Sequence, residues 1–302
     1  MSFLDRFKPQ PRWKHADAAV RAAAVPEIPD DPEHQGVIEE LARGDEDVRV
    51  RREAIVRVAN VALLADLARS ERDDDLRREI TERLVAIATA PAGTDADAAL
   101  AIDGLEDPKQ LSAVAKSSPH DTVRAAALGR VHDVKALSSV ARHAADPQTA
   151  ADAVARLADA AELLNIALKT DHKDAGIAAL EKCLGAGTPT GVDQRATLES
   201  VSARAKNKSV SRRARAMVQG LDEAEAARRL ALEQHRQRVA AVLACVEAVG
   251  ANPAVPTAGD QLAAADVDWR ELAASGSFEM DPETAARYGA LVEAAGAAIA
   301  AS

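Results

Sequence analysis

The sequence predicts an all-α protein: an α-solenoid of short helical hairpins, followed by a long helix and a C-terminal helical hairpin. Three observations predict it. A unit of 26 residues recurs, starting at Asp97, Val123, Thr149 and Ala175. Each unit carries two short apolar stripes at helical spacing with an Asp between them. From Asp222 the period gives way to one uninterrupted helical pattern. Self-similarity at such a period marks a stack of identical supersecondary units.

The repeat is legible slot by slot. A shift of 26 from the unit at Val123 carries Ala127 onto Ala153, Leu128 onto Val154, Arg130 onto Arg156, Val131 onto Leu157 and Asp133 onto Asp159. The same shift carries Leu137 onto Leu163, Val140 onto Ile166 and Ala141 onto Ala167. Backwards, it falls on Ala101, Ile102, Leu105, Asp107, Leu111, Val114 and Ala115. A shift of 73 reaches Val50, Arg51, Ala54, Ile55, Arg57, Val58, Leu64, Leu67 and Ala68, and Leu76, Arg77, Ile80, Arg83 and Leu84 follow one period later. Each stripe predicts a helix of about 8 to 12 residues, shorter than the roughly 12 to 15 that persist alone in water. Stability therefore rests on nearest-neighbour stacking. The Asp or Asn between stripes is placed to cap the next helix. Core slots hold Ala, Val, Leu and Ile, and aromatic residues are 2% of the chain, so short helices approach closely.

Residues 1–14 (MSFLDRFKPQPRWK) form an N-terminal aromatic and basic cap segment, with Phe3, Phe7 and Trp13 interleaved with Arg6, Lys8, Arg12 and Lys14. Pro9 and Pro11 stop any helix there. Two readings fit: a cap over the open end of the first repeat, or a docking peptide for a partner or membrane surface. Residues 15–221 are the solenoid. Its first unit is degenerate, with Val20, Ala24, Val25 and Ile28 interrupted by Pro26 and Pro29, and Pro32 starting the helix of Val37, Ile38 and Leu41. The unit from Leu76 is shortened near residues 84–88, and residues 91–94 (PAGT) are a loop. The unit from Ala175 carries an insertion, GAGTPTG at 185–191, which lacks the Lys-Ser/Thr and the preceding strand of a phosphate loop. The last unit begins at Val210 and runs through Ala214 and Met217.

Residues 222–302 read as a long helix over 223–249 and a C-terminal hairpin. Val239, Val242, Val246 and Val249 make a seam for a partner helix. Gly250, Asn252, Pro253 and Pro256 end it. Trp269 and Leu272 mark a short helix, and Asp281-Pro282 starts a final one carrying Tyr288, Leu291, Val292 and Ile299. The seam takes either that last helix or a second copy, giving a homo-oligomer through 239–249.

A formal net charge of −10 argues against bulk nucleic-acid binding as the main task. Cys183 and Cys245 show no metal spacing and suit a reducing compartment. No signal segment and no apolar run of spanning length are present, so the expected location is cytoplasmic. No Ser/His/Asp grouping, paired His motif or nucleotide fingerprint occurs. The sequence predicts no enzyme, no cofactor, and no catalytic or metal residues. His132 and His143 either face each other across one hairpin or stand apart on the surface.

Arginine is the informative polar residue. Arg57, Arg83, Arg130 and Arg156 hold one slot, and Arg51, Arg77 and Arg124 another. Such rows are either a ladder with the turn acids Asp107, Asp133 and Asp159 or a row of cations for an acidic partner or phosphate backbone. Separately, Arg204, Lys206, Lys208, Arg212, Arg213 and Arg215 follow one another with no intervening acid. That run is either a phosphate-contacting surface or a solvated end-face. No aromatic residue interleaves it, so base stacking is not implied.

The opening F-L-D-R-F-K-P…R-W-K-H, followed by D-x-x-V-R-x-x-A-V at Asp17–Val25, resembles the start of bacterial proteins that carry domain of unknown function 349. Their N-terminal part is built of short HEAT-type repeats of the form V-R-x-x-A-x-x-R-L-x-D-x-x-L-L-x-x-A, similar to Val123–Ala141 and Thr149–Ala167 here. Ala205–Arg215 (AKNKSVSRRAR) resembles that family's exit from the repeats, and Trp269, Leu272 and Tyr288 its following helical segment. The resemblance covers residues 3–229 and thins beyond them. It implies a HEAT-like, intracellular, bacterial α-helical protein and brings no catalytic residues. It also implies further helical repeats in larger relatives, from which this chain departs near residue 302. HEAT-like arrays occur as well in alkylpurine DNA glycosylases and bilin lyases; acidic charge and scarce aromatics argue against the former. The expected function is a non-catalytic scaffold binding a protein partner. The alternative is a nucleic-acid or ribosome-associated factor using the 204–215 run and the repeated arginines. Candidate partner-binding residues are Arg204, Lys206, Lys208, Arg212, Arg213, Arg215, Phe3, Phe7 and Trp13.

Overall fold

A period of 26 residues has room for two ten-residue helices and two three-residue connections, and the chain folds that way. The structure, a computed structural model, describes residues 10–185, 193–274 and 281–302. Its regular part comprises α6 (Asp95–Asp103), α7 (Pro108–Ser117), α8 (Asp121–Arg130), α9 (Val134–His143), α10 (Pro147–Arg156), α11 (Ala160–Lys169), α12 (Lys173–Gly185) and α13 (Gln194–Arg204). Ahead of it stand α1 (Ala18–Ala24), α2 (Pro32–Gly44), α3 (Val48–Arg57), α4 (Val61–Ser70) and α5 (Asp74–Thr89). Among the described residues every regular element is helical, so this is an all-α repeat fold of the solenoid kind.

The turn acids cap the helices that follow them. Asn60, Asp107, Asp133 and Asp159 accept from the backbone N–H groups of Leu63, Lys109, Ala136 and Glu162. Each such cap contributes about 1 kcal/mol. Asp31 caps α2, whose first residue is Pro32, as the sequence predicts. Apolar slots face inward: Val123, Ala127, Leu128 and Val131 of one stripe and Leu137, Val140 and Ala141 of the next are all buried. The closest pairing crosses the expected unit boundary. The second helix of one unit packs along the first helix of the next, as α7 on α8, α9 on α10 and α11 on α12, more closely than α8 on α9.

The unit from Leu76 is not a hairpin. Its shortening leaves the single 16-residue helix α5, so the first-type helices α5 and α6 are neighbours. As a result α6 packs on α4, and α7 on α5. Gly104, at the end of α6, sits in this crossing. A Cβ there would lie 2.7 Å from the Ala65 Cα and 2.7 Å from Leu84 Cδ1.

The arginine ladder exists with different partners from those expected. Arg57 donates to the carbonyl of Val25 (2.7 Å), and Arg83 to those of Ile55 and Val58. Arg130 donates to Ile102 and Leu105 O (2.5 Å each), and Arg156 to Leu128 and Val131 O. Lys182 continues the row with Val154 and Ala155 O. These carbonyls close the first helix of the preceding unit. A helix C-terminus leaves such groups without intrahelical donors and carries partial negative charge, so it attracts the guanidinium while the Asp residues are occupied as caps. The second slot is internal too. Arg21, Arg51, Arg77 and Arg124 each donate to the carbonyl six residues earlier, at His15, Asp45, Glu71 and Ser118.

The compact units divide at Arg215 and Ala216, within α14 (Lys208–Ala251). The expected boundary between 221 and 222 also falls inside this helix, which runs on from the last repeat without a break. The second unit holds the rest of α14, α15 (Ala258–Ala274) and α16 (Pro282–Ala301, capped by Asp281). Its core is Val242, Leu243, Val246 and Val249 against Ala258, Ala265, Leu272, Tyr288 and Ala295, with Val239 partly buried beside them. The valine seam is thus covered by α15 and α16 of its own chain, the hairpin alternative of the two that the sequence leaves open. Trp269 stacks on Tyr288 at 3.9 Å with planes 5° apart. The Tyr288 hydroxyl donates to Asp266, and burial together with that carboxylate pushes its pKa up to about 12.

Two predictions test this packing. Gly104→Ala forces a methyl into the α4–α5 crossing and is expected to cost about 1–3 kcal/mol in chemical denaturation. Gly129→Ala, a helical position with open space around it, is expected to be neutral or stabilising by about 0.5–1 kcal/mol. The double substitution Arg130→Gln/Arg156→Gln is expected to lower stability by about 1–2 kcal/mol. Because its partners are carbonyls rather than carboxylates, the loss is expected to persist in 1 M salt, where an exposed ion pair is screened to about 3 Å.

Candidate partner-binding surface

The turn before α14 is pinned to the preceding unit. Lys206 N–H donates to Leu168 O (2.9 Å), and the Asn207 amide to Asp171 O (2.8 Å). The Asn207 side chain in turn accepts from Ser209 N–H, capping α14. Val210 and Ala214 are buried. Val210 lies over Gly176, where a Cβ would meet its Cγ2 at 2.6 Å. With these residues inward, Lys208, Arg212 and Arg215 fall at i, i+4 and i+7 and share the opposite, outward face.

All six cations of the run are exposed. Lys206 pairs with Asp171 and Arg213 with Glu181, both at 2.7 Å. Arg204, Lys208, Arg212 and Arg215 have no ionic or hydrogen-bonding partner among the described residues. No acid lies in the first turn of α14. The cations therefore add to the positive end of the helix dipole instead of offsetting it. Trp13 packs edge-on against His34 at 5.9 Å, and the neighbouring Arg12 pairs with Glu27, so this end of the cap segment lies on the first repeat. Phe3 and Phe7 lie outside the described residues, as do residues 186–191 of the insertion and residue 192 after it.

The structure adds cations that the 204–215 run did not reveal. The second helix of each later unit ends in a basic residue: Lys116 on α7, Arg142 and His143 on α9, Lys169 on α11 and Arg204 on α13. The 26-residue spacing of Lys116 and Arg142 was a visible signal. Lys116 donates to the Ser139 hydroxyl (3.2 Å) and Arg142 to Ser138 O (3.3 Å), and Lys169 has no partner among the described residues. Partial burial, Arg142, Lys116 and Lys206 together hold the His143 pKa below its ordinary value, against a smaller opposing effect of Asp171. His132, in the turn before α9, lies a helix length from His143, about 15 Å at 1.5 Å per residue. The two histidines do not face each other.

Elsewhere the charged clefts hold fixed pairs. One, of about 560 Å³, is lined by Arg43, Asp45, Glu46, Arg51, Ser70, Glu71 and Arg72. Within it Glu71 takes both Arg51 nitrogens at 2.8 and 2.9 Å. Burial alone would raise the Glu71 pKa, but Arg51 and the N–H groups of Asp73 and Arg72 outweigh it and hold the carboxylate ionised. Asp45 is held below its ordinary range in the same way by Arg21. This is opposite to the raised pKa that a carboxylic general acid needs. Among the described residues no three His, Cys, Asp or Glu side chains converge as a metal site requires, and no helix is long and apolar enough to cross a membrane. No protein-family model matches the chain, and a search of curated proteins returns no match.

The Glu71 pair carries a pH prediction. A carboxylate whose folded pKa lies below its unfolded one stabilises the fold above the unfolded pKa. That contribution is lost as pH falls through the folded value. Glu71→Gln is expected to cost about 1.5–3 kcal/mol near neutrality. Between pH 6 and 3 the variant is expected to lose less stability than the parent, measured by urea denaturation at each pH.

Proposed function

We propose that this chain is a non-catalytic α-helical repeat scaffold that holds a protein partner, with the 204–215 run among its contact surfaces. The observation that carries the reading is the contrast between two sets of cations. The repeated arginines are spent on carbonyls inside the stack, whereas Arg204, Lys208, Arg212 and Arg215 face solvent without a partner among the described residues. A cytoplasmic location and a place among bacterial proteins with domain of unknown function 349 belong to the same proposal and rest on the opening residues.

The nucleic-acid reading loses its second support, because the arginine rows are occupied. The four unpaired cations of the run would give a salt slope of about −3.6 on duplex DNA, and no aromatic residue interleaves the run to stack bases. The test is affinity capture with the purified chain, with and without nuclease, at low and high salt. A protein retained through nuclease treatment, and weakened roughly ten-fold by Arg204→Glu/Lys208→Glu/Arg212→Glu/Arg215→Glu, is the expected result. Loss of all partners on nuclease treatment would put the nucleic-acid reading first.

A further inference from the structure

The cations that end the second helices divide into two groups. In the first units each has an acid one turn back on its own helix: Arg43 pairs with Glu39 at 3.2 Å, and Arg69 with Asp66. In later units the positions three and four residues back are neutral: Ser112 and Ala113 before Lys116, Ser138 and Ser139 before Arg142, Asn165 and Ile166 before Lys169, Ser200 and Val201 before Arg204. The helices α7, α9, α11 and α13 pack in that order. Their ends therefore set one cation with no acid one turn back on its own helix about every 10 Å, the packing distance of helices; Lys116 and Arg142 share one slot, and Lys169 and Arg204 stand one residue past it. Lys208 and Arg212 continue the lane from the same edge, since the turn that starts α14 is bonded to the end of α11.

We infer that this lane, Lys116, Arg142, Lys169, Arg204, Lys208 and Arg212, is the docking track for an extended acidic segment of a partner protein. The inference rests on the scaffold reading and names the chemistry of the partner's contact. Two features select a protein over a polyphosphate. Acids of the fold stand beside the cations: Glu162 acts on Arg142, and Asp171 pairs with Lys206 and lies near His143. A lane of both signs repels a uniform row of phosphates. It accepts a chain whose acids are spaced: a polyproline II segment has three residues per turn and rises about 3.1 Å per residue, so an acid at every third residue returns to the same face about every 9 Å, in step with the repeat.

The test uses as probes a fluorescein-labelled spaced oligoglutamate, built of Glu-Gly-Gly repeats, and an oligouridylate of equal charge, with binding followed by anisotropy at low salt. The unmodified chain is expected to bind oligoglutamate more tightly than oligouridylate. Lys116→Gln/Arg142→Gln/Lys169→Gln/Arg204→Gln is expected to weaken oligoglutamate binding roughly ten-fold, at up to ~1 kcal/mol per exposed charge pair. Arg43→Gln/Arg69→Gln is expected to leave binding unchanged. All of these side chains lie at helix ends, and a circular-dichroism melt checks each fold. Tighter binding of oligouridylate, no binding of oligoglutamate, or equal binding by the quadruple variant overturns the inference. Capture of the same nuclease-resistant partner by the quadruple variant and the unmodified chain would sink the lane alone. Capture by neither would sink the scaffold reading.

Discussion

The ends of short helices govern this structure. A ten-residue helix leaves its first four N–H and last four C=O groups without intrahelical partners, a large share of all the backbone groups it has. The repeat answers each end with a fixed side chain. An Asp or Asn between the helices closes the N-terminus of the second helix, and an arginine one unit on reaches back to the C-terminal carbonyls of the first. The core slots are rich in Ala, which buries little area, so these end contacts weigh more than they would between long Leu-rich helices. They also set orientation, because an arginine that must reach the previous unit's last turn fixes how far the next unit can rotate.

At two positions a glycine breaks an arginine slot where the packing is tight. Gly104 stands in the slot of Arg130, and Gly176 in the slot of Arg124 two units on. At both places a neighbour comes too close for any side chain: Ala65 and Leu84 at the first, Val210 and Thr170 at the second. The first marks the single helix α5, and the second marks the entry into α14. A break in the polar pattern of the repeat is here a steric record of a change in packing.

That logic separates what was legible in the sequence from what was not. The apolar slots, the caps at Asp133 and Asp159 and the start of α16 at Asp281-Pro282 are local patterns, and the chain folds as they predict. The extension of α14 back to Lys208 was hidden because the last repeat and the long helix have the same local propensity, and Gly220 between Ala214 and Asp222 reads as a stop; only the absence of a proline there marked the continuation. The partners of the arginines were hidden for another reason. A carbonyl acceptor leaves no trace in side-chain identity, so the acids in the same period drew attention instead. The lane of Lys116, Arg142 and Lys169 was missed because single cations at helix ends are ordinary; only the missing acids one turn earlier set them apart.

Cations near helix ends therefore have three fates, decided by what lies within reach. On the first helices the reach ends on bare carbonyls of the preceding unit, and the charge is consumed by the fold. On the second helices of the first units it ends on an acid of the same helix, and the charge is cancelled. From α7 onward no acid of the same helix is in reach: Lys116 meets a serine hydroxyl, Arg142 a carbonyl of its own helix, and Lys169 and Arg204 no partner among the described residues. A net charge of −10 gives no hint of this, because it sums over both halves of the chain. Charge left on successive units costs the fold through self-repulsion. On the scaffold reading proposed above, an anionic segment of a partner lying along the later units would offset that cost.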